Sequence, residues 1–374
     1  YPSKPSLTID SFGNIHMVFE MFSNSKSDIG YSIYKNNKWS TPVKIVDQSG
    51  SSADPKILCD EYNNMYVSWI DKKFGKSDVF WCSYNYSQSR WSSSGFGGND
   101  FQVSNSEVSV SNIDHAYKGG NYFVTWSEKS IFGKKKIKLA KYNAGSKQWY
   151  SSTSSGTDFD VSPSDSRQAD YPSICVDFDN NIHIVWQDVL SGFNRIYYRM
   201  VGSNLSALAP PKIITSVNYQ FDCTAPRLSV IDDITDPYTS KNGDVVLLFN
   251  KSQNSSIDPY TEEVNYTSYG NAIQGIYAAR WSRDLKAWLS SGSKIGTEGG
   301  YDSVLKAPST RYVNSIVSPK SIEDIQDIFY LGIDSGDIGF PISVFNLRYD
   351  LGFVNGEYRA DIDSYTNFDP DEII

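Results

Sequence analysis

One pattern returns along this chain often enough to limit what the chain can fold into. The stretch "DSFGNIHMVFEMFSNSKSDIGYSIYKNNKWSTPVKIV" (residues 10–46) reappears as "CDEYNNMYVSWID…SDVFWCSYNYSQSRWS" and again as "VDFDNNIHIVWQD…RIYYRMVG". The unit has four parts. An apolar strand led by proline comes first: "PSLTID" from 5, "PKILCD" from 55, "PSICVD" from 172 and "PRLSVI" from 226. A tight turn follows, written "FGN", "YNN", "KGGN", "DNN" and "KNGD". A second strand then ends on Phe19, Trp69, Trp126, Trp186 or Phe249. A third carries alternating aromatics, and a fourth opens on Trp39, Trp91, Trp149 or Trp288.

Asn and Gly between alternating apolar runs supply the positive φ angles of a type I′ hairpin turn. Period-two alternation gives each strand one face toward a neighbouring sheet. Proline is expected at the first strand position, where it removes no interior ladder bond. The unit is therefore a four-stranded antiparallel meander. Its aromatic ends are spaced 50, 57, 60 and 63 residues apart, and a sixth, divergent copy runs from "APSTRYV" (307–313) through "FVNGEYRADID". Radial repetition of such a unit predicts an all-β fold, a six-bladed β-propeller forming a single domain. Its blades fall at about 1–48, 49–104, 105–162, 163–218, 219–298 and 299–374. Helical periodicity is nearly absent; "SIEDIQDI" (321–328) offers at most one short turn.

Aromatics make up 14% of residues and charged groups only 21%, too apolar a mixture for disorder. The formal charge of −9 repels phosphate backbones and argues against nucleic-acid partners. The basic run "GKKKIKLAK" (133–141) reads as a solvated strand edge. No apolar run approaches the roughly 20 residues that cross a bilayer, so no membrane span is expected. The chain begins without Met, which fits an exported protein whose signal peptide was removed, or a trimmed chain. Cys59, Cys82, Cys175 and Cys223 form no C-x-x-C pair, and buried free thiols are preferred over disulfides. Sequons at Asn85, Asn204, Asn250, Asn254 and Asn265 are glycosylation candidates if the protein is exported.

The recurring P-x-h-x-x-D-x-x-G-N-h-H-h-h-W, followed by h-x-Y and a closing W, resembles bacterial and phage repeat propellers of the sialidase-like superfamily. The resemblance implies the propeller fold. Sialidases also carry an Asp-box, S-x-D-x-G-x-x-W, in the turn before the fourth strand. Here those turns read "KNNKW", "SQSRW", "GSKQW" and "DLKAW". The family's first arginine, beside the opening proline, is replaced by Lys4. A three-arginine clamp would have to use Arg227, Arg311 and Arg348.

Candidate ligand-binding residues come from the lead-ins to the innermost strands: Lys4, Asp54, Lys56, Asp170, Tyr171, Arg227, Lys306 and Arg311. Mixed charges, hydroxyls and aromatic rings suit a sugar, and the same groups would also solvate a channel mouth. Asp54 and Asp170 share an "A-D-(x)-P" lead-in and are the pair weighed for glycoside hydrolysis, which needs two carboxylates about 5 to 9 Å apart. His16 and His183 occupy equivalent repeat positions, which argues against a joint metal site; His115 stands alone. No cofactor is expected. Calcium is weighed at "DFDNN" (177–181) and "DIDSYTNFDPDE" (361–372), neither of which follows a calcium-loop spacing. The long insertion from Asn250 to Asn271 reads as a surface recognition loop.

Three functions stay open. The first is a secreted or surface-displayed recognition module binding a glycan or an extracellular protein through one propeller face. The second is a glycoside hydrolase acting at the channel mouth. The third is a structural subunit of an extracellular assembly, in which the protein would be oligomeric.

Overall fold

The computed structural model describes residues 2–23, 26–46, 50–153, 157–166, 168–215, 221–230, 244–253, 256–257, 264–265, 275–288, 293–294, 312–317, 328–334, 343–348 and 361–367. They are almost entirely β-strand; one 3-10 turn, Ser94–Phe96, is the helical element among them. No helix is long and apolar enough to cross a membrane. "SIEDIQDI" lies outside the described residues up to 327, and Ile328 opens a strand.

The chain divides into two compact units, Tyr1–Ile174 and Cys175–Ile374. The first unit holds three antiparallel sheets. In the first sheet Pro2–Ile9, Ile15–Ser23, Lys26–Lys35 and Lys38–Trp39 lie side by side in chain order, and Val43–Lys44 also pairs with the third strand. The second sheet repeats this with Ser52–Cys59, Met65–Asp71 and Asp78–Asn85, whose last strand takes both Arg90–Trp91 and Phe101–Gln102. The third is built from Ser109–Lys118, Asn121–Lys129, Lys135–Asn143, Gln148–Tyr150 and Phe159–Asp160. The expected outermost strand is thus two short pieces pairing with opposite ends of the third strand. In the first sheet Trp39 faces Tyr34 while Lys44 faces Gly30.

The strand Asp170–Val176, within which the division falls, heads a fourth sheet with Ile182–Leu190, Phe193–Val201 and Lys212–Ile213. The second unit's next sheet contains Phe221–Val230, Val245–Gln253, Gly275–Ser282, Ala287–Trp288 and Ser293–Lys294. The insertion after its second strand forms a small ribbon, Ser256–Ile257 against Val264–Asn265. A further four-stranded antiparallel sheet follows, made of Tyr312–Val317, Ile328–Asp334, Ser343–Arg348 and Asp361–Asn367.

Alternation in each second strand explains how consecutive sheets stack. In Met65–Asp71 every residue is buried, because both faces are covered. Val67 and Trp69, with Ile57 of their own sheet, point to the first sheet and pack with Val18 and Ile29. Tyr66 and Ile70 point the other way, meeting Ile113, Val124 and Trp126 of the third. In the second unit Val185 and Tyr198 pack likewise on Leu228, Leu247, Phe249 and Trp281. The aromatics ending the second strands are core: Trp69, Trp126 and Trp186 are fully buried, with Phe249 and Phe19 nearly so. All four thiols are free, three of them buried, as the spacing suggested.

Two local expectations change. A type I′ turn with two positive φ angles occurs at Gly119–Gly120 and again at Asn36–Asn37. Three other first turns are different: Gly13, Asn63 and Asn180 are the sole left-handed residues of a type I turn, while 241–243 of "KNGD" lie outside the described residues. The reason is the aspartate that opens each one. Asp10 Oδ1 accepts the amides of Phe12 and Asn14, and Asp60 and Asp177 do the same for Tyr62 and Asn64, Asp179 and Asn181. Two amides in each turn that a hairpin loop would leave to water are held in this way. The basic run is also not an edge. It is a third strand paired on both sides, with Lys135 bound to Asp170 and Lys138 Nζ 2.7 Å from Asp160.

Candidate functional site

The proline-led strands do not start at proline. Each begins two or more residues earlier and is broken by a bulge just before the proline position. Lys4, Asp54, Asn112, Tyr171 and Ala225 all adopt φ near +50°. The pairing register slips at Ser3/Ser6, Ala53/Lys56, Ser111/Asp114 and Thr224/Arg227. Proline fits immediately after the bulge because the ladder is already interrupted there and its missing N–H costs nothing. A left-handed non-glycine residue costs on the order of 1 kcal/mol or more, so five in register require compensation.

Part of that compensation crosses from sheet to sheet. Glu20, the residue after the aromatic end of its strand, places Oε1 2.9 Å from the Asp54 amide and accepts its proton. Its other oxygen accepts from the Ser3 hydroxyl at 2.7 Å. Gln187, in the equivalent place, accepts the Ala225 amide at 3.0 Å. Tyr171 solves the same problem locally, donating its amide to Asp170 Oδ1.

These links build two polar clusters at the bulge end of the first unit. In one, Lys4 Nζ lies 2.6 Å from Asp54 Oδ1 and 3.6 Å from Glu20 Oε1. Glu20 is buried, Asp54 a third exposed and Lys4 more than half exposed. Burial works against the Lys4 charge, yet hydrogen bonding and attraction from Asp54, then Glu20, raise its pKa above the usual lysine value. In the other, Asp170 is held by Lys135 and accepts from Asn112 Nδ2 at 2.7 Å. Further along the same two strands, Asp114 Oδ2 accepts from the Ser173 hydroxyl and the Ile174 amide.

The sequence-derived candidates separate accordingly. Lys4 and Asp54 form one pair. Asp170 sits in the other cluster, one residue before its bulge, whereas Asp54 is the bulge residue itself. Tyr171 is a half-buried bulge residue, and Lys56 is half-buried two residues past Asp54, where its charge reaches His115. Arg227 donates to the Pro226 carbonyl at 3.0 Å. Lys306 and Arg311 lie outside the described residues, as does sequon Asn254; of the arginine triad, only Arg227 has a described side chain. Sequence reasoning missed Glu20, Gln187 and Asn112. The first two were findable as the residue following each strand's terminal aromatic. Asn112 was findable by counting back from Trp126, although no proline marks it.

The opposite end of the strands answers the histidine question. His16 Nε2 donates to Asp10 Oδ2 across 3.2 Å, while the Tyr31 hydroxyl lies 2.6 Å from Nδ1. In the fourth sheet His183 repeats this with Asp177 at 3.0 Å and Tyr198 at 2.9 Å. Each ring thereby has both nitrogens partnered and ties the first turn of its sheet to the second and third strands. Tyr66 replaces the histidine in the second sheet and reaches Asp60 directly at 3.1 Å. Asp177 of "DFDNN" has its oxygens on Asp179, Asn181 and His183. Among the described residues no three His, Cys, Asp or Glu side chains gather as a metal-binding group. Sequon Asn85 is exposed at the end of the strand Asp78–Asn85 and Asn204 is exposed in a turn, their Oδ1 atoms accepting from Ser87 and Ser206. Asn250 and Asn265 lie on strands of the fifth sheet and its ribbon.

No family model and no curated protein matches the chain. Solved structures do. An α-L-arabinanase of Penicillium chrysogenum complexed with arabinobiose is 11% identical with a TM-score of 0.52, over 89% of this chain and 88% of that one. A PL25 ulvan lyase is 10% identical with a TM-score of 0.50, over 88% and 76%. A Hadza microbial sialidase is 10% identical with a TM-score of 0.45, over 77% and 57%. At such identities the likeness is one of fold alone.

Proposed function

We propose that this protein is an extracellular glycan-recognition module whose binding face is the bulge end of the strands. The proposal includes six blades, the last formed by residues 299–374. The observation that carries the reading is the Lys4 ammonium suspended between Asp54 and the buried Glu20. A fixed, partly solvated donor flanked by carboxylate acceptors is the arrangement that discriminates sugar hydroxyls. The likeness to an arabinanase that holds arabinobiose supports a sugar as the ligand class. An array of immobilised neutral and acidic oligosaccharides, followed by calorimetry, tests it. Wild-type protein should retain at least one sugar, and Lys4→Ala with Asp54→Asn should abolish retention. Retention of no sugar, or unchanged retention by the double variant, removes the reading.

A hydrolytic reading has one observation in its favour. Glu20 and Asp54 place oxygens 3.6 Å and 2.6 Å from the same ammonium, which limits their separation to about 6 Å or less, a range that includes the roughly 5 Å of a retaining glycosidase. Turnover of a chromogenic arabinoside or sialoside that disappears in both Glu20→Gln and Asp54→Asn would select it over simple binding.

A further inference from the structure

The second and third sheets each end, on the bulge side, in a hairpin of one construction. Lys72–Lys73–Phe74–Gly75 and Ser130–Ile131–Phe132–Gly133 are both type I turns, closed by the Gly75 amide on the Lys72 carbonyl and the Gly133 amide on the Ser130 carbonyl. Gly75 and Gly133 have φ of +82° and +77°. This geometry points the preceding phenylalanine outward: Phe132 is 83% exposed and Phe74 58%. Lysines surround them. Lys72, Lys129 and Lys134 are exposed, and Lys73 Nζ stands 5.4 Å from the Phe74 ring centre. Carboxylates lie near both tips: the buried Asp71 adjoins Lys72, and Glu107 Oε2 accepts the Ile131 amide at 3.2 Å. A chain of net charge −9 thus gathers cations and bare rings at adjacent tips, on the same side as the Lys4 cluster.

We infer that these two tips form a rim for an anionic polysaccharide: Phe74 and Phe132 stack on the apolar faces of sugar rings while Lys72, Lys73, Lys129 and Lys134 meet their carboxylates or sulfates. Adjacent sheets stack roughly 10 Å apart, about two sugar residues, so one polymer spans both tips. The inference extends the glycan reading above and rests on it for the sugar, but the charge preference is its own.

The test measures retention on polygalacturonate against its fully methyl-esterified form, and on dextran sulfate against dextran, from low to 0.5 M salt. The full chain is compared with Lys72→Gln/Lys73→Gln/Lys129→Gln/Lys134→Gln and with Phe74→Ser/Phe132→Ser. Lys76 and Lys135 stay intact because Asn105 with Ser106, and Asp170, hold them. Wild-type protein should retain the charged member of each pair and release it with salt; each variant should weaken retention by about tenfold or more. Circular dichroism and melting should be unchanged, since all six side chains stand at tips. Equal retention of charged and neutral members, or rim variants that bind like wild type, overturns this inference and leaves sugar binding at Lys4 standing. Loss of binding only in the Lys4 and Asp54 variants does the same. Binding to phosphatidylglycerol vesicles with none to either polyanion also overturns it, and makes the rim a lipid surface.

Discussion

The amide of Asp54 donates to Oε1 of Glu20 over 2.9 Å, joining the second sheet to the first at the point where the backbone is bent. Gln187 performs this for Ala225 with a neutral amide oxygen. The bond therefore needs an acceptor and no charge. Glu20→Gln should leave the melting temperature within about 2 °C. Glu20→Ala, which orphans the Asp54 amide and the Ser3 hydroxyl, should cost about 1–3 kcal/mol in urea unfolding. Equal losses for both variants would contradict the shared role.

His115 gives a pH dependence with a defined sign. Burial, with the Lys56 charge assisting, lowers its pKa to about 4 against the opposing pull of Asp114. A base whose folded pKa lies below its unfolded value binds more protons when unfolded. Stability should therefore fall as pH drops from about 6.5 toward 4. Only three histidines give proton resonances, so the titration is directly assignable. His115→Gln should reduce this slope and leave the share of His16, whose pKa burial also lowers; an unchanged slope would place it on another group.

Below that window Asp177 takes over. Burial raises the pKa of Asp177, but hydrogen bonds from His183 and Asn181 outweigh it and hold the carboxyl below the usual aspartate value. Its contribution is complete above about pH 4 and is lost as pH falls further. Asp177→Ala should cost about 2–4 kcal/mol at pH 7, since it strands two turn amides and the His183 ring. Acid unfolding monitored by tryptophan fluorescence should lose its steep phase below pH 4 in that variant.

Gly30 lies under the Phe19 ring. A Cβ there would stand 2.8 Å from two ring carbons. Reduced freedom of the unfolded chain would return about 0.4–1 kcal/mol in Gly30→Ala, and the clash costs about 1–3. The net effect should be a lower urea midpoint, relieved when Phe19→Leu is added. Additive losses would show that the two positions do not meet.

Tryptophans of one repeat should differ by location. Trp69 is fully buried between two sheets, whereas Trp39 is 43% exposed at an outer strand. Trp69→Ala should lose about 3–5 kcal/mol or fail to fold, and Trp39→Ala under about 1 kcal/mol. Comparable losses at both would mean that the outer aromatics carry packing their exposure does not show.

The repeat's strands, the burial of Trp69, Trp126 and Trp186, and the free thiols were all legible in the chain, because each depends on local alternation and spacing. Turn chemistry was half legible. Asn and Gly marked where the chain reverses, but Asp10, Asp60 and Asp177 chose the turn type through bonds to atoms up to six residues away. The candidate site was less legible still. Lys4 and Asp54 were picked as channel-mouth groups, yet their partner Glu20 sits in an apolar strand and looks like its polar end.

Residue order alone determined that this chain makes repeated antiparallel meanders, since alternation and turn residues act within a few positions of one another. Tertiary structure decided which charges meet. Lys4, Glu20 and Asp54 come together across as many as 50 residues of sequence, and only because a left-handed bulge turns one strand's amide toward the neighbouring sheet. Bond geometry between sheets is not written in any local pattern, which is why a strand-by-strand reading finds the frame and passes over the contact.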